Sequence, residues 1–106
     1  MSPVETIMRT APVIPVLVIE DAVHARAIAE ALVAGGLPVL EVTLRTAAAL
    51  DAIAEMKRVP GAIVGAGTVV DVAGLDSAIA AGAEFIVSPG LTDTLGKAAI
   101  AKDIPF

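Results

Sequence analysis

Several residue types that carry protein chemistry are missing from this chain of 106 residues. It has no cysteine, tryptophan or tyrosine, and a single histidine, His24. Without cysteine there is no disulfide framework, no thiolate nucleophile and no cysteine-bound zinc, and one histidine excludes a multi-histidine metal site. Basic residues are scattered singly and the net charge is −5, whereas nucleic-acid binding requires a basic patch and usually stacking aromatics. We therefore expect neither a bound metal nor a nucleic-acid partner.

Long apolar runs are also absent, although 57% of the residues are hydrophobic. Charges, glycines or prolines interrupt each run before it reaches the roughly 20 residues that a membrane-spanning helix needs. The N-terminal MSPVETIMRT lacks a basic region followed by a long apolar core, so it does not have the pattern of a secretory signal. The excess of Ala, Val, Ile and Leu is typical of buried parallel strands beneath helices. We expect one cytoplasmic α/β domain with no membrane partner.

Four similar units follow one another, each an apolar strand, a polar turn and an alanine-rich helix. The strands begin roughly 22 to 25 residues apart, which is typical of a compact βα repeat. Asp21, Thr46, Asp71 and Thr92 are predicted to cap the four helices, and Gly82 to end the third. Alternating strands and helices with short connections indicate a parallel sheet. The predicted strands are VIPVLVI (13–19), PVLEVTL (38–44), AIVGAGT (62–68) and EFIVSP (84–89).

Two architectures fit this alternation, an open doubly wound sheet and a (β/α)8 barrel. An open nucleotide-binding sheet normally carries G-x-G-x-x-G after a strand, whereas GAGTVVD has Val70 in place of the third glycine. Polar residues within or at the end of successive strands favour the barrel, which in full has eight units in about 250 residues. This chain has four units and then IPF (104–106), which resembles the opening of a fifth strand. We predict an α/β fold, the N-terminal half of a (β/α)8 TIM barrel with four βα units plus the start of a fifth strand, as one partial-barrel domain over 1–106.

Polar side chains alternate along the second predicted strand, in EVTLRT. Because strand side chains alternate, Glu41, Thr43 and Arg45 share one face. If Val42 and Leu44 on the other face pack under the helices, the charged face points into the barrel, where unpaired charges cost several kcal/mol. One interpretation is a structural ion pair between Glu41 and Arg45. The other is a functional site in which Arg45 binds an anion bidentately and Glu41 transfers protons.

The third and fourth predicted strands add residues beside this face. Gly65 and Gly67 lie on one face of the third strand, where they either permit close backbone packing or leave room for a substrate. Thr68 follows, with its hydroxyl at the rim of that space. The fourth strand ends in Ser-Pro-Gly, which is either a plain βα turn or a pocket wall that contains Pro89.

Four segments together resemble the N-terminal half of the 2-keto-3-deoxy-6-phosphogluconate (KDPG) aldolases, which often also cleave 2-keto-4-hydroxyglutarate (KHG): PVIPVLVIED, EALVAGGLPVLEVTLRT, VPGAIVGAGTVVD and VSPGLTDTLGKAA. The resemblance implies a class I lyase of the Entner–Doudoroff type, which cleaves KDPG to pyruvate and glyceraldehyde 3-phosphate through a Schiff base on a strand lysine. It implies Glu41 as general acid/base, Arg45 and Thr68 as ligands of the pyruvate carboxylate, and Pro89 as part of the pocket wall. It also implies no cofactor and a homotrimeric assembly.

The lysine that this family uses has no counterpart in the chain. In the family it lies on the sixth strand, in a motif like FKFFPAE, and phosphate-binding glycine loops come later still. Lys57, Lys97 and Lys102 all fall on predicted helices or at their ends. We therefore expect no Schiff-base lysine here and no cleavage by these 106 residues alone. Two alternatives remain: a structural half-barrel that dimerises or complements a C-terminal half, and a binding module for small carboxylates.

Overall fold

A parallel β-sheet with four of the five α-helices packed on one face forms the centre of the fold. A computed structural model describes all residues from 1 to 106. The strands are β1 (Val16–Leu17), β2 (Val39–Thr43) and β3 (Ile63–Gly67), and the α-helices are α1 (Pro3–Thr10), α2 (Ala25–Ala34), α3 (Ala49–Met56), α4 (Val72–Ala81) and α5 (Asp93–Ala101). The strand order is β1-β2-β3, with Val16 opposite Glu41 and Glu41 opposite Gly65. Consecutive strands are thus parallel neighbours joined by helices, as the alternation predicts.

A fourth strand segment, residues 84–87, continues the sheet on the far side of β3. Its Val87 N–H donates to the Ala66 carbonyl at 2.9 Å, and Ala66 and Ile86 form a parallel bridge. Ile86 in turn donates its N–H to the Pro105 carbonyl at 2.9 Å. The last residues of the chain therefore lie beside the fourth strand segment, in the place predicted for the start of a fifth strand.

The strands differ in length from the prediction at both edges of the sheet. β2 and β3 match the predicted strands to within one residue at each end. β1 is far shorter than the predicted 13–19, and Pro15, directly before it, has no N–H to donate to a ladder. The fourth strand, predicted over 84–89, pairs with β3 only as far as Val87, before the Ser-Pro-Gly turn.

The hydrophobic core lies between the sheet and the helices. It is one cluster of 19 buried residues, to which β2 contributes Leu40 and Val42 and α3 contributes Ile53. Burying a side chain of this size contributes about 1.5–3 kcal/mol relative to leaving it exposed. Because these residues hold one face of β2 against the helices, Glu41 and Thr43 are directed to the opposite, inner face.

Polar side chains cap the N-termini of three of the four predicted helices, as predicted, although one of them caps only a short 3-10 turn before its α-helix. The Asp71 carboxylate accepts the N–H of Gly74, the third residue of α4, at 2.7 Å. The Thr92 hydroxyl accepts the N–H of Leu95, the third residue of α5, at 3.2 Å. Asp21 caps a single 3-10 turn that leads into α2. Gly82 ends α4 with a φ of 107°, a left-handed conformation that glycine adopts without a steric cost.

The predicted cap of α3 is wrong. α3 begins at Ala49 with Ala48 at the N-cap position, two residues after Thr46. The Thr46 hydroxyl instead donates to the Ile19 carbonyl at 2.6 Å. A capping side chain must accept an N–H from the first turn of its own helix, and Thr46 lies too far before that turn to do so.

The helix α1 is absent from the predicted elements, although its sequence carries a start signal. Ser2 accepts the Glu5 N–H at 3.4 Å, and Pro3 occupies the first helical position. Ser2 and Glu5 also have the spacing of a capping box, and proline is favoured at this position. None of the α1 residues is buried. None of the helices is both long enough and apolar enough to cross a membrane.

The inner face of the sheet is formed around two glycines of β3. A Cβ at Gly65 would lie 2.5 Å from ring carbons of Phe85, and Phe85 is only 4% exposed. The ring therefore fills the space that a side chain at this position would occupy. At Gly65 the space is therefore taken by a side chain, which is neither the close backbone packing nor the room for a substrate expected from the sequence.

We expect Gly65→Ala to lower the free energy of unfolding by about 1–3 kcal/mol, the usual cost of forcing extra atoms into a packed interior. The added methyl group would overlap ring carbons of Phe85, so the ring would have to leave its packed position over Gly65. Urea denaturation followed by circular dichroism measures the change.

Gly90→Ala is the matched control, because a Cβ there meets nothing within 4 Å. We expect its free energy of unfolding to stay within about 0.5 kcal/mol of the unsubstituted value. Equal losses in the two variants would contradict the packing of Phe85 over Gly65.

Candidate active site

Glu41 lies in the middle of β2, on the inner face, and is 9% exposed. Its register partner on β3 is Gly65, yet its carboxyl group lies over Gly67, two residues nearer the carboxyl end of the sheet. A Cβ at Gly67 would approach the Glu41 Cδ to 2.7 Å. The missing side chain of Gly67 therefore makes room for the Glu41 carboxyl group.

Burial raises the pKa of the Glu41 carboxyl above its ordinary value, and the positive charge of Arg45 opposes this increase. Burial acts because a carboxylate loses more hydration than a neutral carboxyl group when both leave water. A carboxyl group with a raised pKa gives and takes a proton more readily near neutral pH than an exposed one. Glu41 thus has the position and the electrostatics of a general acid/base.

A cleft of about 440 Å³ opens beside Glu41 on the inner face of the sheet. Its walls are mainly apolar side chains of α1 and of the fourth strand segment, together with the Ser88 hydroxyl. This volume is within the range of small-molecule sites. Arg45, Thr68 and Pro89 do not line the cleft, so the structure places only Glu41 of the four predicted site residues there.

Arg45 is exposed, two residues beyond the end of β2. The four ion pairs of the structure join other residues, and none contains Glu41 or Arg45. The predicted structural ion pair between these two side chains is therefore absent. Arg45 is close enough for its charge to act on Glu41, while its guanidinium stays free to bind an anion.

Thr68 follows β3 directly and has a φ of 60°, in the left-handed region. This conformation costs a β-branched residue about 1–2 kcal/mol. Hydrogen bonds on both sides hold it: the Gly67 carbonyl accepts the Leu44 N–H at 3.0 Å, and the Val69 N–H donates to the Val87 carbonyl at 3.2 Å. Strained residues fixed in this way are concentrated at functional sites, and Thr68 carries a hydroxyl at the carboxyl edge of the sheet.

The Ser-Pro-Gly turn lies at the same edge, after the fourth strand segment. The Ser88 hydroxyl donates to the Gly90 carbonyl at 2.8 Å and accepts the Gly90 N–H at 3.3 Å, which fixes the turn. Pro89 is exposed at its tip. Sequence reasoning singled out Pro89 and missed Ser88 as the residue of this turn that lines the cleft, although the hydroxyl next to the proline was a visible signal.

None of the three lysines lies on a strand, as predicted. Lys57 follows α3 and pairs with Glu84 at 3.0 Å, and Lys102 follows α5 and pairs with Asp76 at 2.7 Å. Lys97 is exposed on α5. A nucleophilic lysine is usually desolvated so that its pKa falls, and none of these three has such an environment. Nor do any three His, Asp or Glu side chains converge in a way that would hold a metal ion.

Known proteins with similar sequences are aldolases. The family model for KDPG and KHG aldolase matches residues 4–106. The chain is 65% identical over 102 residues to the 2-dehydro-3-deoxy-phosphogluconate aldolase of Zymomonas mobilis, covering 96% of this chain and 49% of that protein. It is 56% identical over 103 residues to the KHG/KDPG aldolase of Escherichia coli, covering 96% of this chain and 48% of that one. The chain thus spans about half the length of the curated relatives it matches.

Solved structures agree with these matches. The KDPG aldolase of Zymomonas mobilis with 3-phosphoglycerate superposes with a TM-score of 0.94 at 64% identity, over 96% of this chain and 49% of that one. The KDPG aldolase of Legionella pneumophila, with pyruvate captured at low pH as a covalent carbinolamine intermediate, superposes with a TM-score of 0.91 at 42% identity, over 98% and 51%. These structures confirm the predicted half of a TIM-barrel fold.

We expect Glu41→Gln to raise the free energy of unfolding at pH 7. The raised pKa means that the folded state holds the Glu41 proton more tightly than the unfolded state does, so ionisation of Glu41 destabilises the fold. The stability that protonated Glu41 contributes is fully present below the carboxyl pKa of the unfolded state. It is lost as the pH rises through the higher pKa of the folded state. The advantage of the glutamine variant therefore shrinks as the pH is lowered toward 4, which urea denaturation at several pH values measures.

Glu30→Gln on α2 serves as the control, since Glu30 is exposed and forms none of the ion pairs. We expect it to change stability by less than about 0.5 kcal/mol at any of these pH values. If Glu41→Gln destabilises the chain at pH 7 by as much as at pH 4, burial does not raise the pKa of this carboxyl group.

Proposed function

The chain belongs to the KDPG and KHG aldolase family, and we propose that it supplies the pyruvate-binding half of a class I aldolase site. The reaction would be cleavage of KDPG to pyruvate and glyceraldehyde 3-phosphate. The observation that carries this proposal is the Glu41 carboxyl group, buried over Gly67 beside a cleft and held at a raised pKa. The Legionella relative, in which pyruvate forms a covalent carbinolamine, supports the same chemistry.

Glu41 would move the protons of this reaction. In a Schiff-base aldolase a base removes the proton of the C4 hydroxyl, the C3–C4 bond breaks, and its electrons pass into the iminium to form an enamine. An acid then returns a proton to C3. One carboxyl group can take the first proton and give the second if its pKa lies near the working pH. The burial of Glu41, which raises its pKa, supports this role.

Arg45 and Thr68 would bind the carboxylate of the pyruvate moiety, and Pro89 would form part of the wall of the pocket. A free guanidinium donates two parallel hydrogen bonds to a carboxylate, and the structure gives Arg45 no internal carboxylate to bind. The strained backbone of Thr68 supports a requirement for its hydroxyl at this point, because glycine would avoid the strain.

The nucleophile would come from a lysine other than Lys57, Lys97 and Lys102. Each of these three lies on a helix or directly after one, and none lines the cleft beside Glu41. The 104–106 segment lies beside the fourth strand segment through the Pro105 carbonyl, so further strands added there would bring new side chains to the inner face. We therefore propose that these 106 residues alone do not cleave the substrate. A homotrimeric assembly and the self-pairing of half-barrels both stay predictions.

The proposed division of roles is tested in a chimera that joins residues 1–106 to the second half of the Zymomonas mobilis aldolase. We expect the chimera to cleave KDPG. Arg45→Ala should raise KM by about 10- to 100-fold with little change in kcat, because it removes a charged hydrogen bond to the bound substrate. Glu41→Gln should lower kcat by about 10²- to 10⁴-fold with little change in KM. Steady-state kinetics with a coupled assay for pyruvate measures both constants.

Arg26→Ala is the matched control, because Arg26 is an exposed arginine on α2 whose partner is Glu55. Both kinetic constants should stay unchanged in this variant. Equal effects of Arg45→Ala and Glu41→Gln on KM would contradict the separate roles. A chimera that folds and binds pyruvate but does not cleave KDPG would contradict the proposed reaction.

A further inference from the structure

Two threonine hydroxyls extend the contact between the first and second strands beyond their backbone ladder. The register of β1 and β2 ends at Leu17 opposite Val42. Past this point the Thr43 hydroxyl donates to the Leu17 carbonyl at 3.2 Å, and the Thr46 hydroxyl donates to the Ile19 carbonyl at 2.6 Å. The carbonyls of the last residue of β1 and of the residue two positions after it thus accept hydrogen bonds from side chains of the second βα unit. We call these two hydrogen bonds the hydroxyl ties.

The two threonines of the hydroxyl ties lie on either side of Arg45 in the sequence. Thr43 is the last residue of β2 and is 1% exposed, and Thr46 is half-buried in the turn before α3. Between them, the Leu44 N–H donates to the Gly67 carbonyl of β3 at 3.0 Å. The short turn that carries Arg45 is therefore attached to the first strand on one side and to the third strand on the other.

Arg45 has no such attachment through its own side chain. Its guanidinium takes part in none of the ion pairs, and the side chain is exposed. A long, exposed side chain loses considerable conformational freedom when it binds a ligand. The less its backbone moves, the smaller the region that the guanidinium samples before binding.

We propose that Thr43 and Thr46 are positioning residues that fix the turn carrying Arg45, so that its guanidinium stays on the side of the sheet where Glu41 lies. Thr46 thereby has a role other than the helix cap predicted for it: its hydroxyl donates to the Ile19 carbonyl, and α3 begins only at Ala49. The benefit for substrate binding rests on the function proposed above. The attachment itself is a property of this chain and is tested without substrate.

The pKa of Glu41 depends on how close the Arg45 guanidinium lies to its carboxyl group. Glu41 is the one ionisable side chain that lines the cleft, and Arg45 is the charged group that lowers its pKa against the effect of burial. If the hydroxyl ties hold Arg45 in place, removing them should weaken its effect on Glu41. A role of Thr46 in stability alone would not change this coupling.

The experiment is a double-mutant cycle on the 106-residue chain, with the Glu41 carboxyl carbon titrated by ¹³C NMR. Arg45→Met should raise the pKa of Glu41 in the unsubstituted chain. In Thr46→Val, which keeps the shape of the side chain but removes the hydroxyl, Arg45→Met should cause less than half of that increase. Thr46→Ser keeps the hydroxyl and should keep the full increase. Equal increases in all three backgrounds would overturn the proposal.

If Thr46→Val does not fold, a second measurement on the unsubstituted chain tests the proposal. The Arg45 amide of the unsubstituted chain should have an NMR order parameter near 0.85, as a rigid backbone does, and a value below about 0.6 would overturn the proposal. In the chimera, Thr46→Val should raise KM as Arg45→Ala does, while Thr46→Ser should not. A loss of coupling to Glu41 without any change in KM would support the hydroxyl ties and contradict the proposed role of Arg45 in binding.

Discussion

The alternation of side chains along β2 is the constraint on which the site depends. Leu40 and Val42 are fully buried under the helices, and their burial forces Glu41 onto the inner face, where a carboxyl group has little hydration. The inner face accepts it because β3 has no side chain at Gly67. The same hydrophobic packing that forms the core therefore also places a buried acid beside the cleft.

Two features of the inner face and the carboxyl edge of the sheet, at Glu41 and Thr68, lower stability and are consistent with a binding site. Glu41 is buried without an ion-pair partner, and Thr68 has a left-handed backbone conformation. Arg45 is exposed and forms no ion pair. The neighbouring backbone holds Thr68 in its left-handed conformation, since the hydrogen bonds of Gly67 with Leu44 and of Val69 with Val87 fix the residues on either side of it. Strain held in place by its surroundings is a common property of functional sites.

The sequence predicted the parts of the fold that depend on local patterns. The periods of the apolar residues located β2, β3 and the face of Glu41, and capping residues such as Asp71 located helix starts. What failed depended on contacts between distant segments. The Thr46 hydroxyl donates to the Ile19 carbonyl, just beyond the first strand, and does not cap its own helix, and no local pattern separates these two uses. Likewise, the sequence left open whether Gly65 permits close backbone packing or leaves room for a substrate, and the packing of Phe85 over Gly65 could not be predicted because it is a contact between distant segments.

The central claim is that these 106 residues hold the acid/base and the carboxylate-binding side chains of a Schiff-base site but not its nucleophile. The most direct test is reduction with borohydride in the presence of pyruvate, followed by intact-protein mass spectrometry. The chain by itself should show no reduced pyruvate adduct, whereas its chimera with the second half of the Zymomonas mobilis aldolase should gain one adduct on a lysine of the added half. A stable adduct on Lys57, Lys97 or Lys102 of the chain alone would contradict the claim.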